Sequence, residues 1–205
     1  MIIEAVIKGL EFRFETSDSV FSPRRVDAGT LAMLSCVDFR DGWKVLDLGC
    51  GYGVVGITAA KFTDPSNVFM VDIDPEAVSL ARGNAARNGV GGVNILQGDG
   101  PEALDETGFD CILSNPPYHA DFSVPKRFIE KGFNRLKIGG RMYLVTKRKD
   151  WYKNKLISIF GGVRIHEADG YYVFEAEKRS PDFAGKAKSR SRSGSGPKSK
   201  PEPVP

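Results

Sequence analysis

Several short apolar runs in this chain end on an acid or an amide, and the neighbours of those groups limit the chemistry open to them. The first such stretch is Asp47-Leu48-Gly49-Cys50-Gly51-Tyr52-Gly53-Val54-Val55-Gly56. Gly51, Gly53 and Gly56 match the spacing of a dinucleotide-binding loop, and Asp72 lies 21 residues beyond Gly51. Asp47 argues against a pyrophosphate ligand. A carboxylate just ahead of the first glycine repels phosphate and attracts a cation, directly or through water. The glycines remove Cβ atoms that would keep a ligand from the backbone. A second acid, Asp72, closes the next apolar run, and a third, Asp99, stands in Gly98-Asp99-Gly100, also a common turn sequence. Asp74, directly before Pro75, reads as a helix cap. A fourth run ends in Asn115-Pro116-Pro117-Tyr118-His119, where two prolines stiffen the turn and bias it toward extended backbone.

The elements that must hold these groups are legible from the apolar pattern. Lys44–Leu48, Val68–Asp72, Val93–Leu96, Phe109–Leu113 and Arg141–Thr146 read as strands, with two more around Val163–His166 and Tyr171–Ala176. Helices are expected over Val54–Phe62, Pro75–Asn88, Val124–Leu136 and Trp151–Phe160. Gly139-Gly140 reads as a turn ahead of the fifth strand. Upstream, Ile2–Ile7 and Glu11–Phe14 form a hairpin and Asp27–Cys36 an extra helix. Alternating strands and helices imply an α/β fold with a mostly parallel sheet, in which ligands bind beyond the carboxyl ends of the strands. The acids and the asparagine all fall there.

The remaining features set bounds. A chain of 205 residues with 41% hydrophobic and 27% charged side chains can bury a full core in one domain. It has no run of about 18 apolar residues, which leaves no membrane span, and Glu4 and Lys8 break the N-terminal apolar run, so no signal peptide is read. Cys36, Cys50 and Cys111 are scattered, consistent with reduced thiols of a cytoplasmic protein. With His119 and His166 as the two histidines, no metal-ligand spacing arises, and His166 is expected to be structural. From Lys178 onward the chain carries a net +6, against −3 for residues 1–177. The stretch 178–205 is expected to be a disordered basic tail, since it offers almost nothing apolar after Phe183. Such a tail either keeps the chain in solution or contacts the phosphates of a polyanion. Arg24, Arg25, Lys126, Arg127 and Lys147-Arg148-Lys149 are candidates for a basic rim.

The acid followed by Gly-x-Gly-x-Gly resembles motif I of class I S-adenosylmethionine-dependent methyltransferases, whose cofactor carries an ammonium and a sulfonium and no phosphate. The resemblance implies a Rossmann-like, seven-stranded, mostly parallel sheet with helices on both faces, residues 41–177, and an N-terminal hairpin and helix extension, residues 1–40. It implies that Gly49, Cys50, Gly51 and Gly53 line the methionine moiety, with Cys50 packing in the loop, and that Asp47 anchors the amino group. Asp72 would take the ribose hydroxyls, Ile73 would pack on the adenine, and Asp99 would meet the adenine amine. Asn115-Pro116-Pro117-Tyr118 is similar to motif IV of methyltransferases acting on planar amines. There the Asn115 side-chain oxygen and the Pro116 carbonyl each accept one N–H of the amine, favouring the tetrahedral nitrogen that attack requires. Tyr118 would stack on the flat substrate, worth about 1–3 kcal/mol. No strong base is needed, because alkylation itself acidifies the proton.

Further segments narrow the resemblance. Phe14-Glu15-Thr16 and Phe21-Ser22-Pro23-Arg24-Arg25-Val26-Asp27-Ala28-Gly29-Thr30 resemble the opening segment of the ribosomal RNA small-subunit methyltransferase "small" domain family. So do the histidine after motif IV, Gly139-Gly140-Arg141, and Trp151-Tyr152. The likeness covers about residues 10–177 and corresponds to the single-domain form of the family. It implies methyl transfer to guanine N2 in small-subunit ribosomal RNA, a ribosomal RNA or small-subunit partner, Tyr118 on the substrate, His119 either on the substrate or capping the loop, and Phe21 with the backbone around Asp27–Thr30 closing over the cofactor or substrate. The rivals are a release-factor glutamine methyltransferase, whose usual helical N-terminal domain is not seen here, a DNA adenine methyltransferase, a non-catalytic RNA-binding or assembly factor, and a nicotinamide-dependent oxidoreductase.

Overall fold

The computed structural model describes residues 1–116 and 122–185. The apolar runs form strands β1 (Ile2–Ile7), β2 (Leu10–Glu15), β3 (Val45–Leu48), β4 (Val68–Asp72), β5 (Asn94–Gln97), β6 (Phe109–Ser114), β7 (Leu136–Thr146), β8 (Arg164–Ala168) and β9 (Tyr171–Glu177). Between them run α1 (Ala28–Cys36), α2 (Val54–Ala59), α3 (Pro75–Arg87), α4 (Ser123–Arg135) and α5 (Asp150–Phe160). Seven strands make one sheet in the order β5-β4-β3-β6-β7-β9-β8. The first five are parallel, and β9 runs antiparallel between β7 and β8.

Strand alternation divides the core into two layers. Val45, Met70, Cys111, Leu113, Tyr143 and Val145 face α1, α2 and α3, whereas Leu46, Leu48, Val71, Ile112, Met142 and Leu144 face α4 and α5. Both faces of the central strands are covered, as a parallel sheet requires. β3 lies between β4 and β6, so the chain reverses direction across the sheet at that point and opens a crevice beyond the strand ends.

The hairpin β1–β2 is a separate two-stranded sheet that buries Ile3, Ile7, Phe12 and Phe14 in the core, and its backbone is tied to the body by Asn84 of α3 and by Asn88 at that helix's C-cap. Asn84 is fully buried. Its Nδ2 donates to the Glu15 carbonyl at 2.9 Å and its Oδ1 accepts from the Glu15 N–H at 2.7 Å. One helical turn on, Asn88 repeats the pattern with the Arg13 carbonyl and N–H, at 2.8 and 3.1 Å. A turn of helix advances about 5.4 Å and two strand residues about 6.8 Å, so the two amides act as an improvised edge partner for β2.

Two expectations need correction. Gly139-Gly140 is not a turn, because β7 runs through it while its pairing with β6 shifts register between Phe109 and Cys111. A Cβ on Gly140 would stand 2.6 Å from the Phe109 carbonyl oxygen, so a glycine is what this close strand approach demands. The boundary of the tail also moves. Lys178 is buried, its Nζ donating to the Leu136 carbonyl at 2.8 Å, and Phe183 packs edge-on against Phe133 with ring centroids 5.0 Å apart. Residues 178–185 are therefore part of the packed body, with Phe183 as the apolar anchor; residues 186–205 lie outside the described residues. No described helix is long and apolar enough to cross a membrane.

Candidate active site

The glycine-rich loop forms because β3 ends against β4 and must turn at once into α2. The Gly49 and Cys50 N–H groups both donate to the Val71 carbonyl, at 2.9 and 3.0 Å, and Gly53 caps α2 at φ +103°, a backbone setting in which a side chain is strained. Asp47 sits beneath this turn, 2% exposed, and its Oδ2 accepts from the Gly56 N–H at 2.9 Å. Burial pushes its carboxyl up to about 7; the Gly56 hydrogen bond opposes the shift and the charge of Asp72 adds to it. Asp72, at the end of β4, accepts from the Gly51 N–H at 2.7 Å and the Asp74 N–H at 3.0 Å. Asp74 accepts from Glu76 N–H at 2.9 Å and caps α3 as expected.

These groups line a cavity of about 370 Å³ at the switch point. Its walls are Gly49, Cys50 and Gly51, the acids Asp47, Asp72 and Asp99, and the segment Ser19–Ser22, with Val124 and Phe128 of α4. Ile73 and Phe21, 64% and 54% exposed, are large apolar side chains at its walls. Of the expected cofactor residues, Gly53 does not reach the cavity. Its Cβ position faces Ile57 and Met70 inside the α2 packing. The Cys50 thiol is buried, and desolvation drives its pKa well upward. Asp99 is occupied on both oxygens by the Arg127 guanidinium, one contact at 2.7 Å, and these hydrogen bonds hold its carboxyl below the usual range. The expected rim residue Arg127 is thus tied to an acid of the cavity wall. Lys147, Arg148 and Lys149, in the loop after β7, lie over the rings of Tyr171, Phe122 and Tyr172 at 4.9, 5.2 and 4.9 Å.

Asn115 follows β6 and reaches the same cavity. Its Nδ2 donates to Asp27 Oδ2 at 3.0 Å and to Thr30 Oγ1 at 2.9 Å. Pro116 is buried and outside the cavity lining, while Pro117, Tyr118 and His119 lie outside the described residues. The sequence placed the backbone of Asp27–Thr30 near the site; in the structure the side chains turn in. Asp27 sits 88 residues from Asn115, and nothing local in either segment announces the pairing. Val20 and Phe128 were also missed, since apolar side chains in a cavity wall read like any other core residue. His166 lies 3.4 Å from Glu175 on the far strands, away from the cavity. Among the described residues no cluster of His, Cys, Asp or Glu could hold a metal ion.

Comparison with known proteins agrees with this geometry. The family model for the methyltransferase small domain matches residues 11–175. An uncharacterised Bacillus subtilis protein, YbxB, is 31% identical over 84% of this chain and 89% of its own length. Ribosomal RNA small subunit methyltransferase C of Pseudomonas putida is 34% identical over 78% of this chain and 49% of its own, so this chain spans about half of that relative. A T. thermophilus 16S rRNA N2 G1207 methyltransferase, solved with AdoMet and guanosine, superimposes with a TM-score of 0.79 at 30% identity. The match covers 87% of this chain and 50% of that one. Sheet order, glycine loop and post-β6 asparagine, together with a family match over most of the chain, lead to one conclusion: this chain belongs to the methyltransferase small domain family.

Proposed function

We propose that the protein transfers a methyl group from S-adenosylmethionine to the exocyclic N2 amine of guanine in small-subunit ribosomal RNA. The observation that carries this reading is that Asn115 opens onto the same cavity as the Asp47 and Asp72 carboxylates, so a cationic donor and a planar amine could meet there. The cavity suits the cofactor. Its volume falls within the range of small-molecule sites, its floor is acidic and phosphate-free in preference, and Ile73 and Phe21 offer apolar faces to a flat ring. When bound, S-adenosylmethionine supplies an electrophilic methyl carbon on a sulfonium.

The chain's own residues do the rest. Asp47 and the backbone of Gly49 and Gly51 hold the amino-acid end, Asp72 the ribose, and Ile73 and Asp99 the adenine. Asn115 Oδ1 and the Pro116 carbonyl accept the two N–H groups of the guanine amine. Tyr118 stacks on the base, with Phe21 and His119 beside it. Residues 1–185 make the catalytic body, and the cations after β7 together with the basic residues beyond 185 contact RNA phosphates. The T. thermophilus relative, solved with guanosine, and the P. putida relative's name support guanine and small-subunit RNA as the substrate.

The test is transfer of labelled methyl to isolated small ribosomal subunits, naked ribosomal RNA and release factor, side by side. Label is expected in a guanine of the RNA. Asn115→Ala should lose about two to three orders of magnitude in rate, the usual effect of deleting one aimed polar group at a reacting centre, with cofactor binding kept within twofold. Label in release factor would overturn the substrate. Undiminished turnover by the variant would overturn the role of Asn115.

A further inference from the structure

An asparagine amide presents two N–H donors on one side and a carbonyl acceptor on the other, and a half-turn of its outer torsion exchanges them. That matters for Asn115. A planar exocyclic amine brings only donors to the site, so it is held by the carbonyl and repelled by the NH2. Asp27 Oδ2 stands 3.0 Å from Asn115 Nδ2, and an ionised carboxylate can only accept. Thr30 Oγ1 lies 2.9 Å from the same nitrogen and 3.5 Å from Asp27 Oδ2, so its own proton can go to Asp27 while its lone pair faces Asn115.

Asp27 is itself fixed on both oxygens. Oδ2 accepts from the Thr30 N–H at 2.9 Å as the cap of α1, and Oδ1 accepts from the Tyr171 hydroxyl at 3.3 Å. The Tyr171 ring is seated against the first turn of α1, where a Cβ on Gly29 would come within 2.6 Å of it. Asp27, Thr30 and Asn115 all line the cavity.

We infer that Asp27 and Thr30 are positioning residues for methyl transfer, locking the Asn115 amide with its nitrogen toward α1 and its carbonyl oxygen turned toward the substrate amine. The inference rests on the reading of Asn115 given above. It gives the N-terminal extension a task in the reaction itself, since the start of α1 sets which face of a residue after β6 is shown to substrate.

Asp27→Ser separates capping from orientation. Serine is a good helix cap but too short to reach Asn115. Its kcat should fall between about tenfold and a hundredfold, the scale of losing one hydrogen bond to a charged group, with the S-adenosylmethionine Kd unchanged within twofold. Asp27→Asn keeps an oxygen in the Oδ2 place and turns its NH2 to the Tyr171 hydroxyl, which can accept, so it should retain most of the rate. Thr30→Val, lacking the second acceptor, should move in the same direction as Asp27→Ser. A readout independent of substrate is the Asn115 side-chain NH2 in ¹⁵N-labelled protein, identified by its loss in Asn115→Ala. It should exchange slowly with solvent in the wild type and Asp27→Asn, and rapidly in Asp27→Ser.

Unchanged kcat and unchanged exchange in Asp27→Ser would overturn the inference while a dead Asn115→Ala left the reading of that residue standing. A loss confined to cofactor Kd would reduce Asp27 to a structural role. Asp27→Asn as slow as Asp27→Ser would mean that the carboxylate charge, and not the amide orientation, is what the reaction uses. An active Asn115→Ala would remove the reading and the inference together.

Discussion

A carboxyl group buried like Asp47 ties ligand binding to pH. Its folded pKa of about 7 lies above the ordinary 3.8, so between those values the folded protein holds a proton that the unfolded chain does not. From this group stability is therefore greatest at low pH and falls as pH rises to about 7, by about 1.4 kcal/mol per unit. Asp47→Asn removes that dependence: the Tm of the cofactor-free variant should exceed that of the wild type by a margin that widens from pH 4 to 7 and then holds. The ligand reverses the preference. A cationic ligand favours the charged carboxylate, so S-adenosylmethionine should bind more tightly as pH climbs from 5 to 7 and should expel a proton from Asp47. Calorimetric titrations at pH 6 in buffers of different ionisation enthalpy count that proton. No release, or the same release from Asp47→Asn, would sink the assignment. Asp47 and Asp72 could be found from sequence because each adjoins a glycine turn or a strand end. The pairing of the Asp27 side chain with Asn115 could not, since the two lie 88 residues apart and nothing local in either segment signals it.

At the scale of elements, the cavity wall at Ser19–Ser22 depends on how the hairpin is moored. Asn84 bonds both backbone groups of Glu15 and also donates to the Tyr52 carbonyl at 2.9 Å, so one side chain joins α3, β2 and the glycine-rich loop. Asn84→Ala strands three backbone groups, which should cost about 2–4 kcal/mol and lower Tm by roughly 5–15 °C. Because Ser19–Ser22 follows β2 into the cavity wall, the cofactor Kd should rise as well. Asn88→Ala, whose bonds to Arg13 are solvent-exposed, should cost about 1 kcal/mol or less and leave cofactor binding alone. Equal effects from the two variants would show that the mooring does not shape the cavity. The strands of the sheet were legible because apolar runs flanked by glycine and proline have few alternatives. The mooring was not, because it consists of side-chain amides standing in for a strand. The run of β7 through Gly139-Gly140 was misread for a related reason: local glycines signal a turn, and only the approach of the Phe109 carbonyl shows that a strand needs them there.

Across the whole molecule, charge and packing divide at different places. Residues 1–177 carry a net −3 and residues 178–205 a net +6, yet the packed body extends through Phe183. Composition exposed the charge boundary because lysine and arginine can be counted. It could not reveal that Lys178 and Phe183 fold back on α4, which depends on Phe133 being there to receive them. Two truncations therefore separate two roles. Ending the chain after Gly185 keeps the Phe133–Phe183 contact and should leave Tm unchanged. Ending it after Lys178 uncovers Phe133 and should cost about 1–2 kcal/mol, or roughly 2–8 °C. If the six basic residues from Lys186 to Lys200 contact phosphates, the shorter cut should also weaken RNA binding. It should lower the slope of log K against log salt by up to about four, at roughly 0.7 per phosphate on single strands. A mildly acidic body cannot supply that term by its net charge, so the remaining slope measures what the cations after β7 contribute. An unchanged slope in the chain ending at Gly185 would remove residues 186–205 from the RNA contact and leave Lys147, Arg148 and Lys149, stacked on their aromatic rings, as its basic face.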